Sequence, residues 1–319
     1  MILPWALSGL GLLILLLAGD ALVKGAVNLS LRVGIPALIV SLTVVAFGTS
    51  APELIISINA VLRDKAAMAL GNVVGSNTAN ILLVLGVPAM ISGLAAGSYD
   101  YRKSFLMMIG ATLVFIGLAF RGVFDIWAGL VLLAGLGYML YDAFREARQH
   151  RRDEAAKVDD DLAEVEGADP DMPWWQIGVF LALGLVGLPL GADLLVDNAS
   201  IIAEGFGITD AVIGLTLVAI GTSLPELATT VMAALRKRAE VAIGNVLGSN
   251  MFNLLAIIGL TTLVGPIPVD SGFLRFDLWV MLAASLLLVP FVFLKLSMGR
   301  VWGVALTVLY LVYLVIVLN

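Results

Sequence analysis

Two glutamates carry the clearest chemistry in this sequence. Glu53 lies in Gly48-Thr49-Ser50-Ala51-Pro52-Glu53-Leu54, and Glu226 lies in Gly221-Thr222-Ser223-Leu224-Pro225-Glu226-Leu227, 173 residues later. At the same offset, Gly71-Asn72-Val73-Val74-Gly75-Ser76-Asn77-Thr78-Ala79-Asn80 recurs as Gly244-Asn245-Val246-Leu247-Gly248-Ser249-Asn250-Met251-Phe252-Asn253. Ala46, Thr49, Ser50 and Glu53 fall at i, i+3, i+4 and i+7, one face of a helix, and Ala219, Thr222, Ser223 and Glu226 repeat that face. Ser76 with Asn80, and Ser249 with Asn253, are i, i+4 pairs that face one way. Pro52 and Pro225 lack an N–H and crowd the preceding turn, which frees carbonyls near Thr49 and Thr222. Carboxylate, hydroxyl, amide and carbonyl oxygens are hard ligands, suited to Ca²⁺, Mg²⁺ or Na⁺. Calcium takes about six to eight flexible oxygens whereas magnesium keeps its waters, so a dehydrated cage with two glutamates favours calcium. One Ca²⁺, or two or more Na⁺, neutralises two carboxylates. The same cage can hold either load but not both, and that balance suggests exchange.

The elements that position these residues are set by composition. Of 319 residues 61% are hydrophobic and 13% charged, too few charges for a soluble surface. Fifteen of the charged residues fall between Arg145 and Asp171, which leaves the rest with apolar runs long enough to cross a bilayer. Ten spans are predicted, at roughly 2–23, 36–62, 68–94, 104–120, 123–144, 174–198, 209–235, 241–264, 273–294 and 301–318. A membrane β-barrel would show short alternating segments instead. No basic stretch precedes the first apolar run, so a removable signal peptide is not expected. Cysteine is absent and the single histidine, His150, lies in the charged tract, which excludes disulfides, thiolate sites and histidine catalysis and argues against an enzyme.

Between Gly48 and Gly86, 20 of 39 positions match their partners. Shared apolar composition can match Leu and Ala by chance, but not Thr, Ser, Pro, Glu and Asn in register. The chain therefore reads as a first repeat at 1–144 with its motif at 46–86, a charged linker at 145–173, and a second repeat at 174–319 with its motif at 219–259. Five spans per repeat is odd, so the second copy enters the membrane from the opposite side. Such inverted pairs are the architecture of secondary transporters, with the site near the midplane where Gly- and Pro-interrupted helices meet. With the N-terminus outside, 14 of 18 Lys and Arg fall in inside loops, which predicts extracytoplasmic termini and a cytoplasmic linker. The linker reads as a helical extension of the fifth span followed by a solvated tether; it lacks the spacing of an EF-hand calcium loop.

Glu53 sits about four residues past the middle of its span, or roughly 6 Å from the bilayer centre. A carboxylate there costs on the order of 3 kcal/mol. No Lys or Arg lies within the second, third, seventh or eighth span to pair with it, so a bound cation is the better compensator. Gly71 with Gly75, and Gly244 with Gly248, are small-xxx-small pairs that admit close helix approach. Asn72, Asn77, Asn245 and Asn250 can equally serve as interhelical glue.

The two motif pairs, each with a Glu-to-Asn spacing of 27, resemble the repeats of the calcium/cation antiporter superfamily, specifically prokaryotic sodium/calcium exchangers. The resemblance covers the whole chain. It implies an all-helical membrane fold of two inverted five-helix repeats and a Na⁺/Ca²⁺ antiporter in the cell membrane of a prokaryote, normally extruding Ca²⁺. It implies a calcium site built by Glu53 and Glu226 with the carbonyls of Thr49 and Thr222. Sodium sites are implied among Ala46, Ser50, Glu53, Ser76, Asn80, Ala219, Ser223, Glu226, Ser249 and Asn253. Family members can carry Asp at one of the two Asn positions; Asn80 and Asn253 remove that third carboxylate and leave the stoichiometry open. The implied partners are the bilayer and the two ions, with no cofactor, no nucleic acid and no obligatory protein. A proton/calcium antiporter using the same glutamates is the alternative, although the hydroxyl-rich face favours sodium. For the transport cycle, residues 36–94 and 209–264 are expected to form a fixed block. Spans 2–23 and 174–198, interrupted only near Gly19 and Gly191, are expected to shift together as the gate.

Overall fold

The computed structural model describes residues 2–94, 99–154, 169, 171–206 and 219–318. The first half comprises α1 (Ile2–Val33), α2 (Ala37–Thr49), α3 (Ala51–Leu62), α4 (Ala66–Ser92), α5 (Arg102–Ala119) and α6 (Ile126–Glu154). The second comprises α7 (Trp174–Gly205), α8 (Ala219–Gly221), α9 (Leu224–Leu235), α10 (Ala239–Thr261), α11 (Phe273–Phe293) and α12 (Arg300–Leu318). Among the described residues, eight helices are long and apolar enough to cross a bilayer, and α2 with α3, bent by 42°, makes up to a ninth. The expected span 209–235 begins outside the described residues, and α8 and α9 are its described part. Most of the linker, 155–168 and 170, also lies outside them.

Two helices run well past their predicted ends. α1 continues from 23 to Val33, and α7 from 198 to Gly205. The charges that seemed to end α1 are accommodated on its partner: Lys24 lies 4.5 Å from the centre of the Phe180 ring and Arg32 lies 5.8 Å from that of Trp174. α7 carries Pro189 in its interior as well as glycines, an interruption the sequence reading passed over. α6 starts at Ile126 rather than 123, because Val123–Phe124 (β1) pairs antiparallel with Ile267–Pro268 (β2). Asp125 caps α6 through the Ala128 N–H (2.9 Å), and that bond, more than the Arg121 guanidinium beside it, holds the Asp125 carboxyl below its usual range. α6 extends into the linker as far as Glu154, the expected helical extension of the fifth span.

Lipid tails are as apolar as leucine, so helices in a membrane are held by close backbone approach and interhelical hydrogen bonds. Glycines supply the approach. A Cβ on Gly303 of α12 would fall 2.6 Å from the Gly86 carbonyl of α4, and one on Gly259 of α10 would fall 3.4 Å from the Gly129 carbonyl of α6. The outer helix of each half thus docks on the ligand-bearing helix of the opposite half. α1 and α7 form an antiparallel pair around Gly11, Gly184 and Gly191, where an added Cβ would strike Leu195, Leu22 and Leu15. α10 is buried along nearly its whole length against α2. A Cβ on Gly248 would come within 2.5 Å of the Leu42 carbonyl, and one on Gly244 within 3.1 Å of the Leu38 carbonyl, as the small-xxx-small pattern predicts. The counterpart glycines are looser: Gly71 would meet only Phe273, at 3.7 Å, and Gly75 nothing within 4 Å.

Candidate functional site

The first motif helix breaks at Ser50, one residue after the repeated threonine, and the second breaks across Thr222 and Ser223. α2 ends at Thr49, Ser50 turns the chain (φ −86°, ψ 2°), and α3 restarts at Ala51 with Pro52 in its first turn. Ser223 (φ −90°, ψ 3°) does the same between α8 and α9, with Pro225 in the first turn. Proline belongs there, since its missing N–H has no partner in a first turn anyway. Each glutamate therefore stands third in a new helix, at the positive end of its dipole, while the carbonyl end of the preceding segment points into the same break. Ser50-x-x-Glu53 and Ser223-x-x-Glu226 have the spacing of a capping box, yet neither serine side chain caps its own helix.

Instead, the Ser50 hydroxyl donates across the repeat boundary to Glu226 Oε1, at 3.2 Å. Thr49 and Ser249 stand beside the same carboxylate, and the Glu53 carboxylate interacts electrostatically with that of Glu226. The structure thus brings Thr49, Ser50, Glu53, Glu226 and Ser249 together. Ala46 is buried on α2, Ser76 and Asn80 on α4, Asn253 on α10 and Ser223 in the turn before α9, and Thr222 is partly exposed. Ala219 opens the described part of its span. Among the described residues, Glu53 Oε2, Glu226 Oε2, Asn80 Oδ1, Asn253 Oδ1, Ser223 Oγ and Ser249 Oγ are buried without a hydrogen-bond partner. Native proteins leave few such atoms unsatisfied, so a set concentrated on these six positions is a signal. Asn253 Nδ2 is unpartnered as well; the six oxygens suit hard cations.

Asn80 and Asn253 open π-helical turns, Asn80–Val84 and Asn253–Ile257, at equivalent places in the two repeats. Single π turns inside α-helices cluster at functional sites, where they re-aim a side chain. The Asn80 turn packs against α9, which bears Glu226, and the Asn253 turn against α3, which bears Glu53. Each ligand helix thereby serves the glutamate of the opposite repeat.

The remaining asparagines hold the block together, as the gluing reading anticipated. Asn77 Nδ2 donates to the Asn250 carbonyl (3.2 Å) and Asn250 Nδ2 to the Asn77 carbonyl (3.3 Å). These two residues are each other's repeat partners, so the pseudo-twofold axis passes between them. Asn72 donates to Ser57 (3.1 Å) and to the Glu53 carbonyl (3.3 Å). In the second copy Asn245 donates to Thr230 (3.4 Å), whose hydroxyl donates to the Glu226 carbonyl (2.6 Å). Ser57 and Thr230 were missed in the sequence. The signal available was their register, a hydroxyl four residues after each glutamate.

The sodium/calcium exchanger protein family matches residues 3–144 and 177–319. The chain is 36% identical over 293 residues to the putative antiporter CaxA of Alkalimonas amylolytica, covering 91% of this chain and 89% of that one. It is 33% identical over 336 residues to the sodium/calcium exchanger MaX1 of Methanosarcina acetivorans, covering 96% of each. A solved structure of the sodium-calcium exchanger NCX_Mj, soaked with Na⁺ and Sr²⁺, superposes with a TM-score of 0.81 at 30% identity, over 99% of this chain and 98% of that one.

Proposed function

The chain belongs to the sodium/calcium exchanger protein family and is a multi-pass membrane antiporter of cations including Ca²⁺, not an enzyme; from that premise we propose that it extrudes Ca²⁺ in exchange for Na⁺ by alternating access. Ca²⁺ is held by the carboxylates of Glu53 and Glu226 with the carbonyls of Thr49 and Thr222. Na⁺ occupies positions shared among Ala46, Ser50, Glu53, Ser76, Asn80, Ala219, Ser223, Glu226, Ser249 and Asn253. Both termini are extracytoplasmic and the linker is cytoplasmic.

The observation that carries this reading is the cross-repeat contact of Ser50 with Glu226, beside a second buried carboxylate and several buried oxygens that no protein donor engages. Two buried carboxylates repel each other unless positive charge sits between them. The cation supplies that charge, and either load must leave before the other can enter. Sodium is favoured over protons as the counter-ion because protonating a carboxylate requires no further oxygens, whereas sodium uses the serine hydroxyls and amide oxygens around it.

Transport into proteoliposomes tests the proposal. An imposed Na⁺ gradient should drive Ca²⁺ against its own gradient, and a proton gradient alone should not. Calcium movement driven equally well by protons in sodium-free buffer would replace Na⁺ by H⁺ as the coupling ion and leave the two-glutamate site standing.

A further inference from the structure

Beyond the ion site, the repeat also relates two pairs of charges. Asp20 of α1 corresponds at the 173-residue offset to Asp193 of α7, and Arg63 at the end of α3 corresponds to Arg236 at the end of α9. The backbone carrying the two arginines is the same in both copies. Arg63 (φ −100°, ψ 18°) and Arg236 (φ −82°, ψ 8°) each end their helix. Each is followed by a residue in the left-handed region, Asp64 (φ 58°) and Lys237 (φ 56°). Each turn is then closed by a bond of 2.8 Å reaching back five residues, from Lys65 to the Ala60 carbonyl and from Arg238 to the Ala233 carbonyl.

Their ion pairing differs. The Arg236 guanidinium grips Asp20 with both prongs, Nη2 to Oδ2 at 2.8 Å and Nε to Oδ1, with both side chains partly buried. Among the described residues, Arg63 and Asp193 make no ion pair, and both are exposed. With identical turns, the difference lies in the placement of α1 and α7. α1 packs along α9, where a Cβ on Gly19 would meet the Ala228 carbonyl at 3.0 Å, whereas α7 makes no comparable contact with α3. Ala228 is 7% exposed, while Ile55, its counterpart on α3, is 61% exposed. The α1–α9 seam lies at the linker end, because the Asn28 side chain of α1 accepts a bond from the linker residue Asp169. Repeat symmetry puts the open α7–α3 seam at the opposite end.

We propose that Asp20–Arg236 and Asp193–Arg63 are alternating latches, the first holding the linker side shut in the state seen here and the second forming when α1 and α7 slide and the far side shuts. The bidentate fork suits a latch, since it is directional and is lost once the helices move apart. The tight α1–α7 pairing lets both latches respond to one displacement: closing one seam opens the other. This deepens the alternating-access reading above and rests on it.

The absence of native cysteine makes the test clean. Arg63→Cys with Asp193→Cys reports the far-side seam, read on gels with a short bis-thiol reagent in membrane vesicles. A single cysteine on α9 near Met232, labelled by an impermeant thiol reagent added from the linker side, reports the other seam. Neutralising the first latch with Asp20→Asn, or independently with Arg236→Gln, should raise 63–193 cross-linking and linker-side labelling together, by about three- to tenfold. The swapped pair Asp20→Arg with Arg236→Asp should return both towards the starting values. Unchanged 63–193 cross-linking in both neutralised variants, or none under any Na⁺ or Ca²⁺ condition in vesicles whose wild-type protein exchanges, would overturn the latches. These readouts need no flux, so failure of the wild-type protein to couple Ca²⁺ to Na⁺ would strike the proposed function separately.

Discussion

The scaffold asparagines and the proposed ligand oxygens sit on the same helices, one or two turns apart, yet they obey the repeat symmetry differently. Asn77 and Asn250 bond each other reciprocally, and Asn72–Ser57 is matched by Asn245–Thr230. The proposed ligands break the symmetry. Ser50 donates to Glu226, but its counterpart Ser223 has no partner; Asn80 donates to Asn250 Oδ1, but both side-chain polar atoms of Asn253 are unpartnered. Polar groups satisfied by other protein groups fix a structure, whereas those left over are available to a ligand. Repeated sequence therefore marks both classes, and the hydrogen-bond pattern distinguishes them in part: Asn77 Oδ1 is also unpartnered, while Ser50 and Asn80 have partners.

The sharpest way to break this distinction is to remove a ligand charge while keeping its shape. Glu53→Gln and Glu226→Gln should each reduce calcium exchange by at least about 100-fold, since one carboxylate's worth of compensation for a buried dication is worth several kcal/mol. Melting temperature in detergent should stay near wild type or rise, because a buried carboxylate without its ion is itself a burden on the fold. Either variant exchanging calcium at the wild-type rate would remove that residue from the ligand set.

The next largest effect should appear in packing, and on one repeat only. Gly248→Ala places a methyl 2.5 Å from the Leu42 carbonyl and 2.6 Å from Ala46 Cβ, so α2 and α10 must separate beside the site. About 3 kcal/mol of lost stability is expected, with reduced exchange. Its counterpart Gly75→Ala meets nothing within 4 Å and should be neutral or slightly stabilising, because glycine is a poor helix former. Equal losses of melting temperature in the two variants would show that the repeats pack alike here.

Among the scaffold asparagines, Asn250→Ala should cost more than Asn77→Ala. Asn250 donates to the Asn77 carbonyl and also accepts from Asn80, while Asn77 supplies one side-chain bond. Each loss is of order 1–3 kcal/mol because buried side-chain hydrogen bonds are removed. The double variant should cost less than the sum, since the residues share a network. Strict additivity in thermal unfolding would mean the reciprocal pair is not coupled.

What was legible in the sequence follows the same division. Long apolar runs showed the helices, and motifs matching at one offset showed the two-fold plan and the residues to examine. Local readings failed where a distant contact decides. Lys24 looked like the end of a span until Phe180, on another helix, gave it a place. Ser50 reads as a ligand on the face of its own helix, but its hydrogen-bond partner lies 176 residues away. The π turns at Asn80 and Asn253 recur at equivalent places in the two repeats, and apolar periodicity does not reveal them. Val123–Phe124 read as the start of a helix because its strand partner comes from the opposite repeat.

The smallest expected effect tests whether Ser57 and Thr230 are one part in two copies. Both accept from an asparagine, and the Thr230 hydroxyl also donates to the carbonyl of Glu226, so the hydroxyl rather than the methyl fixes the first turn that presents the carboxylate. Thr230→Ser keeps that hydroxyl and makes the second repeat match the first. It should lower stability by about 1 kcal/mol, the worth of one buried methyl, and leave exchange within about twofold of wild type. Thr230→Val keeps the shape but removes the hydroxyl's bond to the Glu226 carbonyl and orphans the Asn245 amide. Exchange should then fall clearly below that of Thr230→Ser, although valine fills the site better than serine. If the two variants were equal in exchange, filling would matter and the hydroxyl would not, and Thr230 would leave the set of residues that position Glu226.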